Sequence, residues 1–375
     1  MEPCPHRPPC PGCPRFGATG ISSDALDVLR SLCTTAGIEL SPVVESTAVG
    51  YRHRARLAVR GRARSPKLGI FATNSHDIVD IPRCVVHHTA INDIAAVIKG
   101  AIRTTGITPY VDETHQGHLR YIQLVVERRS GTVQVVLVGN DVTPRPLAPL
   151  ADALTTQLGP RLHSLWWNGQ PERTNAILGP HWHRWSGPDA VQETIGGATV
   201  FFPPGAFGQS HLELADRIVT QVHAWVPDDC HVVELYAGCG PIGLGLAERS
   251  RSVRFNEAAP GGLAGLQFGL DALPTTVRAR TSVHPGPAAT HAALLNDADV
   301  VLADPPRKGL DPLIIETLVR HPPARFIAVS CDLAAFQREA RELQDSGRLR
   351  LSALVPFALF PHTDHVETVA LFERT

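Results

Sequence analysis

Val232-Val233-Glu234-Leu235-Tyr236-Ala237-Gly238-Cys239-Gly240-Pro241-Ile242-Gly243 sets the architecture of the C-terminal half. It reads as an apolar strand, a glycine-rich turn and the start of a helix over 244–249. Glycine lets a backbone approach a ligand, and open α/β sheets bind cofactors in the crevice beyond the carboxyl ends of their strands. The next strand-like run, Val253-Arg254-Phe255-Asn256-Glu257, ends in an acid, placed to accept hydrogen bonds from ribose hydroxyls. The turn lacks the G-x-G-x-x-G spacing of a dinucleotide site. A methyl-donor site of the S-adenosylmethionine type fits it better, and a plain tight turn from strand to helix is the bland alternative.

Downstream of about residue 190, strand-like runs at 231–236, 299–303, 325–330 and 366–372 alternate with helical or Gly/Pro-rich stretches. That alternation argues for a largely parallel sheet. Upstream the signals are mixed. Ser23 reads as the N-cap of a helix on which Leu26, Leu29 and Cys33 share a face and which Gly37 ends. A helix is expected over 90–103, and strands over 121–127 and 132–138 flank a Ser130-Gly131 turn. The chain reads as α/β. A doubly wound, Rossmann-like domain covers 191–375, and an N-terminal and central α+β region covers 1–190, with a cysteine-bearing loop at 1–16 and a central domain over about 44–190.

Bulk properties exclude more than they assign. The 375 residues are 43% hydrophobic, ample for two buried cores. A formal charge of −1 excludes a protein that holds nucleic acid by bulk charge. No run reaches the roughly 18 apolar residues that would cross a membrane. Met1-Glu2-Pro3-Cys4-Pro5-His6 has no basic region before an apolar stretch, so it does not read as a secretory signal. Eight cysteines are too sparse for a disulfide scaffold. A cytoplasmic location is expected, where clustered cysteines point to metal or catalysis. No protein partner is inferred.

Only Lys67, Lys99 and Lys308 are lysines, and the other basic residues are arginines. Codon bias in a GC-rich genome is the expected explanation, and bidentate phosphate recognition, which suits arginine, is the sharper alternative. Over 51–60, Tyr51, His53, Ala55, Leu57 and Val59 point one way, and Arg52, Arg54, Arg56 and Arg60 point the other. Arg62, Arg64 and Lys67 extend the basic run, with no acid between 51 and 67. The basic face is either an edge guarded against aggregation or a surface tracking nucleic-acid phosphates. The second is the expectation, because the rest of the chain is near neutral. Trp166, Trp167, Trp182 and Trp185 read as packing rather than as a base-stacking platform.

Cys4, Cys10 and Cys13 are spaced C-x5-C-x2-C, and Cys84 in Ile81-Pro82-Arg83-Cys84 is a fourth candidate. Three thiolates in a Pro/Gly loop with one distant partner suit a [4Fe–4S] cluster. Four cysteines also satisfy zinc. His6, His87 and His88 keep mixed Cys/His sites open, and no metal at all is the third alternative. Cys33, Cys230 and Cys239 read as structural.

Strand 299–303 runs into Asp304-Pro305-Pro306-Arg307-Lys308-Gly309-Leu310, and strand 325–330 ends in Ser330-Cys331-Asp332. The last strand follows Phe360-Pro361-His362-Thr363-Asp364-His365-Val366-Glu367. A cysteine at that edge is either a buried structural thiol or a nucleophile. Together these parts suit methylation of carbon 5 of a uracil. That carbon is a weak nucleophile, and thiolate addition at carbon 6 makes an enolate whose carbon 5 attacks a methyl donor. A carboxylate must then take the carbon-5 proton before the thiol leaves. Asp304 is placed to orient base and donor. A uracil within structured RNA has to be splayed out to enter such a pocket.

These residues resemble the RNA uracil-C5 methyltransferases that form 5-methyluridine, and among them the iron–sulfur branch acting on 23S ribosomal RNA. The resemblance runs along nearly the whole chain. It is carried by Cys4/Cys10/Cys13, Tyr51-Arg52-His53-Arg54-Ala55-Arg56, Ile81-Pro82-Arg83-Cys84, Pro204-Gly205-Ala206-Phe207-Gly208-Gln209-Ser210, Asp304-Pro305-Pro306-Arg307, Ser330-Cys331 and His365-Val366-Glu367. It implies a SAM-dependent methyltransferase domain over 191–375, with Cys331 as nucleophile and Glu367 as proton acceptor. It implies donor binding by Gln209, Gly238, Glu257 and Asp304, with Tyr236 in the same turn, and an iron–sulfur region whose cluster ligands are Cys4, Cys10, Cys13 and Cys84. The branch expected is the one without an N-terminal RNA-binding barrel, which leaves Arg52, Arg54, Arg56, Arg60 and the central domain to hold RNA.

The chain departs from the family pattern at Pro11-Gly12 (usually Gly-Gly), His211 (usually Asn) and Asp332-Leu333 (usually Asn-Pro). In the Gly/Pro-rich stretch 258–290, Pro260-Gly261-Gly262 and Gly269-Leu270-Asp271-Ala272 replace an Asn-Ala-x-x-Asn pattern. The expectation is an enzyme that methylates a 23S rRNA uridine. A transfer-RNA uridine methyltransferase and a non-catalytic RNA-binding iron–sulfur protein are the alternatives.

Overall fold

Helix α1 (Ser23–Ala36) starts one residue before its sequence signal. Ser22 rather than Ser23 is the cap, its hydroxyl accepting from the Ala25 N–H, and Gly37 ends the helix at φ 69. The structure, a computed structural model, describes residues 3–375. Met1 and Glu2, at the start of the expected cysteine loop, lie outside the described residues. The chain forms two units, one of residues 1–14 and 47–193, the other of 15–46 and 194–375. The second break falls close to the boundary expected at 190/191, but residues 15–46, expected in the N-terminal region, belong to the C-terminal unit. Their apolar helix face is the reason. Ala25, Leu29, Leu32 and Cys33 of α1 sit in the C-terminal unit's core beside Phe326, Phe336 and Phe372.

The first unit is a seven-stranded sheet backed by two helices. Its strands are β1 (Arg54–Arg62), β2 (Ser65–Phe71), β3 (Ile78–Asp80), β4 (Leu119–Val126), β5 (Val133–Gly139), β6 (Leu162–Gly169) and β7 (His181–Ser186), in the order β3-β2-β1-β4-β5-β6-β7. Helices α2 (Thr89–Thr105) and α3 (Ala148–Leu158) share its core. Ala55, Leu57 and Val59 of β1 point into that core, as the alternation predicts. Trp167 is buried there, while Trp182 is 37% exposed.

A hairpin of β8 (Val191–Ile195) and β9 (Ala198–Phe202) follows, and α4 (Leu212–Trp225) leads into a second seven-stranded sheet. This sheet contains β10 (His231–Leu235), β11 (Ser252–Glu257), β12 (Thr281–Pro285), β13 (Val300–Ala303), β14 (Arg325–Ser330), β15 (Leu349–Phe357) and β16 (Glu367–Arg374). The order is β12-β11-β10-β13-β14-β16-β15. Strands β10 to β14 pair in parallel, and β16 runs antiparallel between β14 and β15. The chain winds outward through β10, β11 and β12, then returns to β13. The strand order therefore reverses beside β10, the place where such sheets open a ligand crevice.

The expected strands correspond to β10, β13, β14 and β16. The helix expected over 244–249 is shorter, α5 (Gly243–Leu246). The Gly/Pro-rich stretch 258–290 holds a full helix, α6 (Pro260–Asp271), and a single turn, α7 (Thr275–Arg278). Helices α8 (Pro312–Arg320) and α9 (Leu333–Asp345) complete the unit. Among the described residues no helix is long and apolar enough to cross a membrane.

Candidate active site

The glycine-rich turn leaves β10 through strained backbone. Tyr236, a non-glycine residue, stands at φ 57, followed by Gly238 at φ 55 and Gly240 at φ 78. Glu257, at the end of β11, accepts from the Gly238 N–H at 2.7 Å and from the Ala258 N–H at 2.8 Å, tying the turn to the neighbouring strand. Helix α6 presses against both. A Cβ at Gly262 would lie 3.0 Å from Glu257 Cγ, and one at Gly265 would lie 2.4 Å from Phe201 O and 2.5 Å from Cys239 Sγ. Its glycines, read from sequence as a departure, are where backbones meet too closely for a side chain. Below the turn Glu234 is buried and accepts from the Gly243 N–H at 2.9 Å. Burial first, then the charges of Asp304 and Glu257, push its carboxyl up to about 8.

The groups expected to react gather at the same sheet edge because β16 runs against β14. Ser330 pairs with Thr368, so Cys331 and Glu367 are the next residues along the two strands. Cys331 is half-buried, and burial, then Glu367 and Asp304, push its thiol up to about 11, with Arg307 acting in the opposite direction. Glu367 is 1% exposed, and among the described residues neither carboxylate oxygen meets a hydrogen-bond partner. Burial, reinforced by Asp304, raises it well above the carboxylate range, and Arg307 again opposes. Asp304, just past β13, is lifted to about 7 by burial. At neutral pH the Cys331 thiol holds its proton, and burial favours the protonated form of Glu367.

The remaining expected residues fall into place unevenly. Gln209 lies half-buried in the loop between β9 and α4. That loop runs beside the turn and α6, since a Cβ at Gly261 would meet Ala206 N at 2.9 Å. Tyr236 has a partner the sequence did not show. Its hydroxyl donates to Asp311 Oδ2 at 3.1 Å and accepts from the Asp311 N–H at 3.2 Å, so it braces the turn against the loop that starts at Asp304. Glu339 was also missed. It accepts from the Leu310 N–H at 2.9 Å and holds the same loop from α9, a long-range contact with no sequence signal.

In the first unit, Cys4, Cys10, Cys13 and Cys84 line one cavity of about 200 Å³. Cys13 is pushed up to about 11 by burial and then by the charges of Cys84, Cys10 and Cys4, while Arg52 lowers it. His6 and His87 line the same cavity, and each of the three nearby histidines has one ring nitrogen hydrogen-bonded. His6 Nε2 accepts from the Arg83 N–H at 3.1 Å, His88 Nδ1 accepts from the Ala90 N–H at 3.2 Å, and His87 pairs with Asn92 at 3.3 Å. Burial lowers His87 to about 4. Among the described residues no three His, Cys, Asp or Glu side chains are grouped closely enough to hold one metal ion.

The basic strand divides. Arg52 lines the cysteine cavity, Arg54 is half-buried, and Arg56 donates from Nε to Gln123 Oε1 at 2.7 Å. Arg60 corrects the expectation of an RNA-facing residue. It is 7% exposed, grips Asp112 through Nε and Nη2, and donates from Nη1 to the carbonyls of Val59 and Arg120. Its guanidinium also lies 4.9 Å from the Tyr110 ring and 5.3 Å from that of Tyr121. A buried arginine with its Nε, Nη1 and Nη2 all engaged inside the fold is poorly placed to reach a phosphate.

Comparisons with known proteins agree with this edge. A family model described as tRNA (uracil-5-)-methyltransferase matches residues 295–375, the span holding Asp304, Cys331 and Glu367. An uncharacterized RNA methyltransferase of Protochlamydia amoebophila (strain UWE25) is 33% identical over 383 residues, 99% of this chain and 97% of that protein. One of Gloeobacter violaceus is 30% identical over 404 residues, 100% of this chain and 85% of the relative. Among solved structures, the Pyrococcus abyssi tRNA (uracil-54, C5)-methyltransferase in complex with S-adenosyl-L-homocysteine superposes with a TM-score of 0.79 over 97% of this chain and 84% of that one, at 22% identity. That likeness establishes an α/β, Rossmann-like fold. Relationship along the whole length makes the protein an RNA methyltransferase. It belongs to the RNA uracil-C5 methyltransferase family.

Proposed function

We propose that this enzyme methylates C5 of a uridine in 23S ribosomal RNA, with S-adenosyl-L-methionine as donor and a transient Cys331–C6 bond. The meeting of Cys331 and Glu367 at the end of the β14–β16 pair carries this reading. Gly238, Glu257, Asp304 and Gln209 would hold the donor, with Tyr236 bracing the turn. Space above the turn supports this, since, apart from Gly238 and its two chain neighbours, no described atom lies within 4 Å of where a Cβ on Gly238 would stand. The donor supplies an electrophilic methyl group.

The chain's own residues do the rest. Cys331 Sγ gives an electron pair to C6, the C5–C6 π pair moves toward O4, and C5 becomes nucleophilic. Once C5 carries the methyl, the Glu367 carboxylate takes the C5 proton, the C5–C6 double bond re-forms, and Sγ leaves with its pair. Burial favours the protonated form of both groups, whereas the reaction needs Cys331 as thiolate and Glu367 as carboxylate. Arg307 is the charge that favours the ionised form of both.

Cys4, Cys10, Cys13 and Cys84 are proposed to hold a [4Fe–4S] cluster. Four thiols around one cavity fit it, with His6 and His87 also on the lining. Four cysteines also satisfy zinc, and metal analysis separates the two.

Tritiated methyl donor with unmodified ribosomal and transfer RNA tests the activity. Label in 23S RNA is expected. Label in transfer RNA alone moves the assignment to the substrate named in the matching family model. No label in either overturns the proposal. Protein purified without oxygen is expected to be brown, with about four irons per chain, and stoichiometric zinc would refute the cluster.

A further inference from the structure

The turn that delivers Glu367 is held by residues far away in sequence. No polar contact among the described residues fixes the Glu367 carboxyl, so its place is set by the β16 backbone and the turn before it. In that turn His362 is a buried non-glycine residue at φ 69, a conformation that persists only where its surroundings impose it. Three consecutive residues of the same unit do so. The Arg15 N–H donates to His362 O at 2.9 Å. Arg15 Nη1 donates to Thr363 O at 3.2 Å and Nη2 to Ile21 O at 3.2 Å. The Gly17 N–H donates to His362 Nδ1 at 3.4 Å, and the Phe16 ring centroid lies 5.0 Å from that of His362.

Asp364 Oδ1 stands 3.6 Å from Arg15 Nε, but its side chain is 67% exposed, so solvent screens that pair. The directional bonds to carbonyls do the holding. They need the fork of a guanidinium, which bridges Thr363 O and Ile21 O at once.

We infer that Arg15-Phe16-Gly17 is a positioning element for proton removal from C5, holding the His362 turn and through it the Glu367 carboxyl. This rests on the reading of Glu367 as the base. Glu367 is the first residue of β16, paired only with Phe357 of β15, while the β14 ladder ends at Thr368, so loss of the clamp should displace the turn and this end of the strand while the rest of both ladders holds.

The test compares Arg15→Ala and Arg15→Lys with wild type on RNA carrying 5-deuterated uridine. It follows methylation, the isotope effect, the denaturation-resistant protein–RNA adduct and the thermal midpoint. Arg15→Ala is expected to slow methylation about 10- to 100-fold, with donor KM within about twofold of wild type. The isotope effect and the adduct both rise, because proton removal has become the slow step. Arg15→Lys is expected to show the same signature in weaker form, and it decides the matter if Arg15→Ala fails to fold. An unchanged isotope effect and adduct level overturn the inference, whatever the overall rate. Wild-type protein that forms no adduct and releases no C5 hydrogen overturns the Cys331–Glu367 reading itself, and the clamp with it.

Discussion

Cys331 in the C-terminal unit and Cys13 in the N-terminal unit are both pushed up to about 11, for different reasons. Burial comes first at each. After burial, Cys331 feels two carboxyls, Glu367 and Asp304, against Arg307. Cys13 feels three other thiols, Cys84, Cys10 and Cys4, against Arg52. A thiol among acids is freed when its surroundings change, as when a base enters and a proton leaves. A thiol among thiols is freed when a cation draws charge from all of them together. A raised value alone therefore does not separate a nucleophile from a metal ligand, and the roles proposed for the two thiols rest on their neighbours.

Two alanine substitutions test that separation hardest. Cys331→Ala is expected to lower methylation by at least about 10³-fold with iron content and RNA binding unchanged. Cys13→Ala is expected to lose iron while Cys331 stays open to alkylation. Iron analysis, RNA filter binding and peptide mapping read both. A Cys331→Ala protein that still turns over, or a Cys13→Ala protein that keeps its iron, erases the distinction.

Glu367→Gln comes next, with an expected loss of about 10²- to 10⁴-fold. Here the bond to C6 still forms but elimination stalls, so a covalent protein–RNA band should accumulate on denaturing gels. The wild-type rate without such a band removes Glu367 as the base.

Titration separates the two thiols more gently. With a value near 11, about 10⁻⁴ of Cys331 is thiolate at pH 7, and only the thiolate is alkylated. Raising pH takes the proton off, so iodoacetamide labelling of RNA-free protein should climb about tenfold per pH unit between 7 and 10. Iron-loaded protein should protect Cys13 and leave the Cys331 slope intact. A plateau near pH 8.5 at Cys331 would mean that its neighbours do not push it up.

How far the sequence could foretell these regions follows from the range of the interactions. The glycine turn, the acid ending β11 and the strand ends at Asp304 and Ser330 are local patterns, and each is where its residues predict. The cap of α1 shifts by one residue because Ser22 and Ser23 are chemically equal candidates. The docking of 15–46 in the C-terminal unit was not legible, since an apolar helix face says that it is buried but not against what. Helix α6 was hidden for another reason. Glycine lowers helix propensity, and only the close approach of Phe201 O and Cys239 explains why a side chain is forbidden there.

Arg60 shows the same limit and gives the smallest expected change in function. Alternation groups it with Arg52, Arg54 and Arg56, yet its partner Asp112 lies on a loop far along the chain, out of reach of any local pattern. Removing the guanidinium strands that carboxylate, so Arg60→Ala should cost about 3 kcal/mol of stability, read as a lower denaturant midpoint. Its folded fraction should bind RNA as wild type does, with the same salt dependence. Arg64 on the same basic run is exposed, and Arg64→Ala should lower the slope of log K against log salt by about one. If Arg60→Ala flattened the slope and Arg64→Ala did not, the buried arginine would be the one reaching RNA, and the division of this strand into structural and phosphate-facing cations would be wrong.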